Sequence, residues 1–114
     1  MRHPHRFVLA TVASFAILAT ACGTSEPSEA VTNDDNTVQV LDNVFDADHL
    51  EVVAGDTVTW IWDGSNPHDV VGDDFESEVI ETGEFTHTFD EPGTYDYTCR
   101  LHGGMDGRIT VVDA

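Results

Sequence analysis

The chain has 114 residues, with 22 acidic side chains against four arginines and no lysine, a formal net charge of −18, 40% hydrophobic residues and two cysteines. A chain of that length holds one domain. Its charge leaves no basic surface to neutralise phosphates, which excludes nucleic-acid binding.

The N-terminus opens with a short basic head, Arg2 and Arg6, followed by an apolar run from Phe7 to Ala21. That run is short for a membrane span and ends in small residues, so 1–21 reads as an export signal. Cys22 follows directly, before Gly23, as in a bacterial lipoprotein signal, where the thiol is acylated and becomes the mature N-terminus. Ala19 stands where such signals usually carry Leu or Val, and cleavage near Ala21 to a soluble secreted product is the alternative. The expected location is therefore extracytoplasmic: lipid-anchored at the outer face of the cytoplasmic membrane, facing the periplasm. Either route leads to an oxidising compartment.

Without the signal, only Arg100 and Arg108 oppose the acids. Because the acids are spread along the chain, they read as a general solubility device, suited to high salt, ahead of steering for a basic partner. Residues 22–36, "CGTSEPSEAVTNDDN", are polar and acidic and are expected to form a flexible tether. The folded domain is expected at 37–114. It holds one cysteine, so no disulfide is available, and so small a core gains from a bound metal.

Strand signals follow in chain order. "TVQVL" alternates, with Val38 and Val40 on one face. "LEVV" and "TVTWIW" flank a turn at Ala54-Gly55-Asp56, and Val58, Trp60 and Trp62 share a face as core filler. "DDFESEVIETGE" is ambiguous and has room for a single helical turn. Phe85, His87 and Phe89 share the next face, and Glu91-Pro92-Gly93 makes a turn. Tyr95, Tyr97 and Cys99 share the face after it, and "GRITVV" closes the chain. Short strands with frequent turns predict an all-β fold, a Greek-key β-sandwich or barrel. His87 is expected to be packed in the core, and His49, in "DADHLEV", to be exposed.

The chemistry concentrates in "YDYTCRLHGGM". Cys99, His102 and Met105 stand at C-x2-H-x2-M, with a glycine pair that lets the chain reverse. Thiolate and thioether favour Cu(I), and imidazole suits both copper states. A fourth ligand is available as His68 in "SNPHDVV", in a loop that a Greek-key sandwich can bring to the same end. A His2Cys set with a weak axial Met marks a blue-copper electron-transfer site. Zinc would call for a second Cys or His pair, haem attachment for C-x-x-C-H, and a dinuclear copper site for a second bridging thiolate.

The segments "GDTVTWIWDGSNPHDVV" and "GEFTHTFDEPGTYDYTCRLHGGMDGRITVV" resemble the small cupredoxins, the group of plastocyanin, amicyanin, pseudoazurin and halocyanin. The resemblance spans nearly all of 37–114, and the two-residue gap between His102 and Met105 is similar to the amicyanin loop. It implies a cupredoxin-type sandwich with one copper ion held by His68, Cys99 and His102 in the equatorial plane and Met105 axially. It further implies that the electron passes through the ring edge of His102. Pro67, Leu101, Gly103 and Gly104 would form the docking rim there.

The chain departs from the family pattern at two places. Asp69 follows the first histidine where Asn is usual, and Arg100-Leu101 precede the second where Pro is frequent. The expectation is that Asp69 and Arg100 pair behind the ligands and replace the missing amide tie between the two loops. Two function classes stand open: an electron shuttle, and a copper-delivery protein without redox turnover. A buried Cys-His-His-Met set is poorly suited to handing copper over, so the monomeric, non-enzymatic shuttle is preferred. Its expected partners are redox proteins such as c-type cytochromes, oxidases or dehydrogenases, met by transient docking.

Overall fold

The computed structural model describes residues 28–114, so the segment expected to be an export signal and Cys22 lie outside the described residues. Eight strands run in chain order: β1 Thr37–Leu41, β2 Val44–Asp46, β3 His49–Val53, β4 Thr57–Trp62, β5 Val71–Gly72, β6 Gly83–Thr88, β7 Gly93–Thr98 and β8 Asp106–Val112. They form two four-stranded sheets, ordered β2-β1-β4-β6 and β3-β8-β7-β5. No helix occurs among the described residues, and the ambiguous stretch after β5 is loop with isolated bridges at Glu76 and Ile80 until it enters β6 at Gly83.

Alternation explains the two layers. In β1, β3, β4 and β8 every second residue is buried, because successive side chains of a strand point to opposite faces. Val38 and Val40, Val58 and Trp60, Leu50, and Ile109 and Val111 fill the space between the sheets. Trp60 sits at the centre, with the rings of Phe75, Phe85, Phe89 and Tyr97 within 5.4–6.4 Å of it. His87 is half-buried rather than enclosed, its ring stacked on Phe75 at 27° and edge-on to Phe89.

Two strand pairings position the loops that carry the expected ligands. β1 and β4 are parallel, with Val40 opposite Trp62, so both strands end on the same side of the sheet. Beyond them come the Asp42-Asn43 turn and the loop carrying His68. That turn joins β1 to β2 in two residues, and Asn43 takes the positive φ of 66° that so tight a hairpin requires. In the other sheet β7 and β8 are antiparallel, and Cys99 to Met105 form their connection.

The chain from Ser28 to Asn36, expected within the tether, makes ordered contacts. Val31 bridges Leu50 in parallel, its N–H donating to the His49 carbonyl at 2.9 Å and its carbonyl accepting from Glu51 N–H at 2.7 Å. His49 is half-buried, not exposed as the acidic turn around it suggested. In the neutral ring, Nδ1–H donates to the Ser28 carbonyl at 2.9 Å, and the Thr110 hydroxyl donates to Nε2 at 2.7 Å.

Candidate metal centre

Four residues expected as ligands arrive from two loops at one end of the sandwich. His68 leaves the turn after β4 and is fully buried. Its backbone exchanges two 3.1 Å hydrogen bonds with Ile80, and its carbonyl also accepts from the Trp62 indole Nε1–H at 3.0 Å. Trp62 is therefore more than core filler, since it pins the backbone of the first histidine.

The second loop closes tightly. Cys99 N–H donates to the Met105 carbonyl at 2.9 Å, Met105 N–H to the His102 carbonyl at 3.3 Å, and the Thr98 hydroxyl to the Met105 carbonyl at 3.2 Å. Gly104, at φ 81°, supplies the left-handed turn that brings the chain back. Cys99 and Met105 end buried, and His102 half-buried. At the rim Leu101, Gly103 and Gly104 are exposed and Pro67 is half-buried.

The side chains of His68, Cys99 and His102 converge. Nδ1 of His68 lies 3.1 Å from Nδ1 of His102, and Cys99 Sγ lies 3.7 Å and 3.8 Å from these two nitrogens. A point equidistant from the corners of that triangle is about 2.1 Å from each, matching an imidazole–metal bond and slightly shorter than a thiolate–zinc bond of about 2.3 Å. Two imidazoles and one thiol, with no carboxylate among the three, suit copper. The residues present fit the cofactor.

Behind the donors stand two carboxylates. Asp69 is fully buried; its Oδ1 accepts from the backbone N–H of Arg100 and its Oδ2 from Arg100 Nε–H, each at 2.8 Å. The guanidinium, roughly half-exposed, reaches on to Glu76 Oε1 at 2.8 Å. Asp69 and then Glu76 raise the Arg100 pKa further above its ordinary value. The loop after β4 and the loop after β7 are thus tied by a charge-assisted fork and a backbone bond.

The second carboxylate is Asp42, which no sequence motif singles out from an ordinary turn residue. Its Oδ1 lies 3.2 Å from His68 Nε2, and its two oxygens accept from Ser65 N–H at 3.0 and 3.1 Å, with Asn66 N–H donating to Oδ1 at 3.0 Å. The Asn66 and Ser65 N–H groups, then His68, hold its pKa below the usual 3.8. Gly64 makes room, because a Cβ there would stand 2.5 Å from Asp42 Oδ1. Glu76 is equally silent in the sequence. Nothing local to either residue signals its role, since each meets its partner through contact between segments distant in sequence.

Comparison with known proteins agrees with this geometry. A family model described as a cupredoxin-like domain matches residues 11–111. Amicyanin-alpha of Methylorubrum extorquens is 29% identical over 113 residues, covering 92% of this chain and 95% of its own. A purple cupredoxin from Nitrosopumilus maritimus is similar in structure, with a TM-score of 0.63 at 30% identity over 67% of this chain and 98% of that one. A Cu(I) form of an amicyanin variant gives 0.62 at 31%, over 67% and 80%. Matched along nearly its whole length, the chain belongs to the cupredoxin-like domain family.

Proposed function

We propose that this protein is a mononuclear blue-copper electron carrier and not an enzyme, moving one electron at a time between extracytoplasmic redox partners. The observation that carries the reading is the donor triangle of His68 Nδ1, His102 Nδ1 and Cys99 Sγ, whose corners lie 3.1 to 3.8 Å apart. When bound there, copper supplies the one-electron change between Cu(II) and Cu(I). Met105, buried at the end of the same loop, would hold the ion as a further, weak thioether donor.

The chain's own residues make such a change fast by holding still. Trp62 and Ile80 fix the backbone of His68, the Cys99–Met105 bond closes the second loop, and Arg100 and Asp69 link the two. Donors held this way stay put when the charge at the centre changes, so little has to reorganise. Cys99 and His68 are enclosed and sheltered from water. His102 alone of the three donors is partly exposed, which favours its ring edge as the electron's exit. Leu101, Gly103, Gly104 and Pro67 form the rim around that edge. An exposed leucine beside two glycines lets a partner's cofactor approach closely without a large, tight interface. The fitting partners are c-type cytochromes, oxidases or dehydrogenases, met by a monomer. The pattern at 1–27 supports export, lipid attachment at Cys22 and a short tether that restricts the carrier's reach.

The test is the visible spectrum after addition of Cu(II). The wild type should show an intense thiolate-to-copper band, and Cys99→Ser should lose it while remaining folded. A wild type that takes up copper without the band refutes the blue-copper reading.

A further inference from the structure

Asp42 stands outside the ligand set, yet its carboxylate collects more donors than any other near the site. It accepts from two backbone N–H groups of the turn leading into His68, and it faces the nitrogen of His68 turned away from the donor triangle. Side-chain exposure of 37% leaves it at the surface of the site, not within it. The parallel pairing of β1 with β4 brings it there, and Gly64 leaves its oxygens the space.

We propose that Asp42 is the positioning residue of the first copper ligand, selecting the His68 tautomer and adding negative charge that favours Cu(II). The inference rests on the blue-copper reading. The chemistry is that of a ring with two nitrogens. A neutral imidazole carries one proton, and an ionised carboxylate only accepts, so contact with Asp42 requires the proton on His68 Nε2. Nδ1 is then left with a free lone pair aimed at the centre of the triangle.

The choice matters because the alternative is close at hand. The two Nδ1 atoms are 3.1 Å apart, and a proton donated by His68 to His102 would occupy the space meant for the metal. Asp42 removes His68 as that donor. Its charge acts in a second way, for a hydrogen bond from Nε2–H to an anion makes Nδ1 a stronger donor. A stronger, more anionic ligand set holds Cu(II) more tightly than Cu(I). Ser65 and Asn66 keep the carboxylate where both effects operate.

The variant is Asp42→Asn, which keeps the shape and one acceptor oxygen but removes the charge. Removing such a partner typically costs about 10–100-fold in metal affinity. Cu(II) affinity should fall at least about tenfold relative to Cu(I), which is a rise of about 59 mV in reduction potential for one electron. In the metal-free wild type, long-range 1H–15N spectra should show His68 protonated at Nε2, with that proton protected from exchange. A variant that loses thermal stability but keeps the wild-type potential overturns the proposal and leaves Asp42 only a loop anchor. A wild-type His68 protonated at Nδ1 overturns it too, and that measurement decides even where the variant does not fold. A wild type that lacks the copper band sinks the blue-copper reading instead, while the metal-free spectra still settle the tautomer.

Discussion

Gly107 offers a sharp test of how the ligand hairpin is built. It pairs across β7–β8 with Tyr97, whose ring folds over it. A Cβ at 107 would stand 2.5 Å from Tyr97 Cε2 and closer still to Cζ and Oη. The ring cannot swing away, because it is 3% exposed and wedged between Phe45, at 4.8 Å, and Trp60, at 5.4 Å. Overpacking of this kind costs about 1–3 kcal/mol, and an enclosed ring puts Gly107→Ala at about 2–3 kcal/mol. For a domain this small that lowers the melting temperature by about 10–20 °C.

The sign should reverse once the ring is gone. With its φ outside the positive range, Gly107 gains nothing from being glycine apart from space. In a Tyr97→Leu background, Gly107→Ala should therefore be neutral or stabilise by about 0.5 kcal/mol. Thermal and urea melts of the four proteins in this cycle give the coupling directly. If Gly107→Ala is harmless in the wild type, or costs the same with and without Tyr97, the steric reasoning is refuted. The copper band of Gly107→Ala should also shift, since Cys99 and Met105 lie just beyond the strained rung.

Three other predictions concern the surroundings of the site. Arg100→Ala leaves the buried Asp69 carboxylate without its cation, so Cu(II) is favoured and the reduction potential falls by voltammetry. Arg100→Lys recovers only part of the fall, because an ammonium cannot reproduce the fork to Asp69 and Glu76; an unchanged potential in Arg100→Ala counts against the tie. Asp42 has a lowered pKa in the folded state, so its stabilisation is fully present above 3.8 and is lost as the pH falls through the folded value. Urea melts of metal-free wild type and Asp42→Asn should therefore converge on acidification, and a gap that widens would contradict the assignment. A chain starting at residue 37 should be less stable than one starting at 28 by about 1–3 kcal/mol, from the two backbone bonds of Val31. Equal melting temperatures would mean that 28–36 adds nothing to the fold.

By itself the sequence determined what depends on near neighbours. Alternation in "TVQVL" and "TVTWIW" sets which faces are buried, because side-chain direction in a strand repeats every two residues. Cys99, His102 and Met105 were legible as one unit, because a seven-residue loop between paired strands has few ways to close. His68 could be named from its motif, though not its distance from the other donors.

Beyond the Asp69–Arg100 pair, which the sequence already suggested, tertiary structure alone decided who stands behind the ligands. Asp42 meets His68 because β1 and β4 run parallel with Val40 beside Trp62, and a register is a relation between distant segments that no local pattern reveals. Arg100 reaches Asp69 and Glu76 because the two sheets bring the loops after β4, β5 and β7 to one end. Asp69 was legible from its place after His68, but in a chain with 22 acids composition cannot tell Asp42 and Glu76 from the rest. Only the fold sets them within hydrogen-bond reach of a ligand or of the residue that ties the ligand loops together.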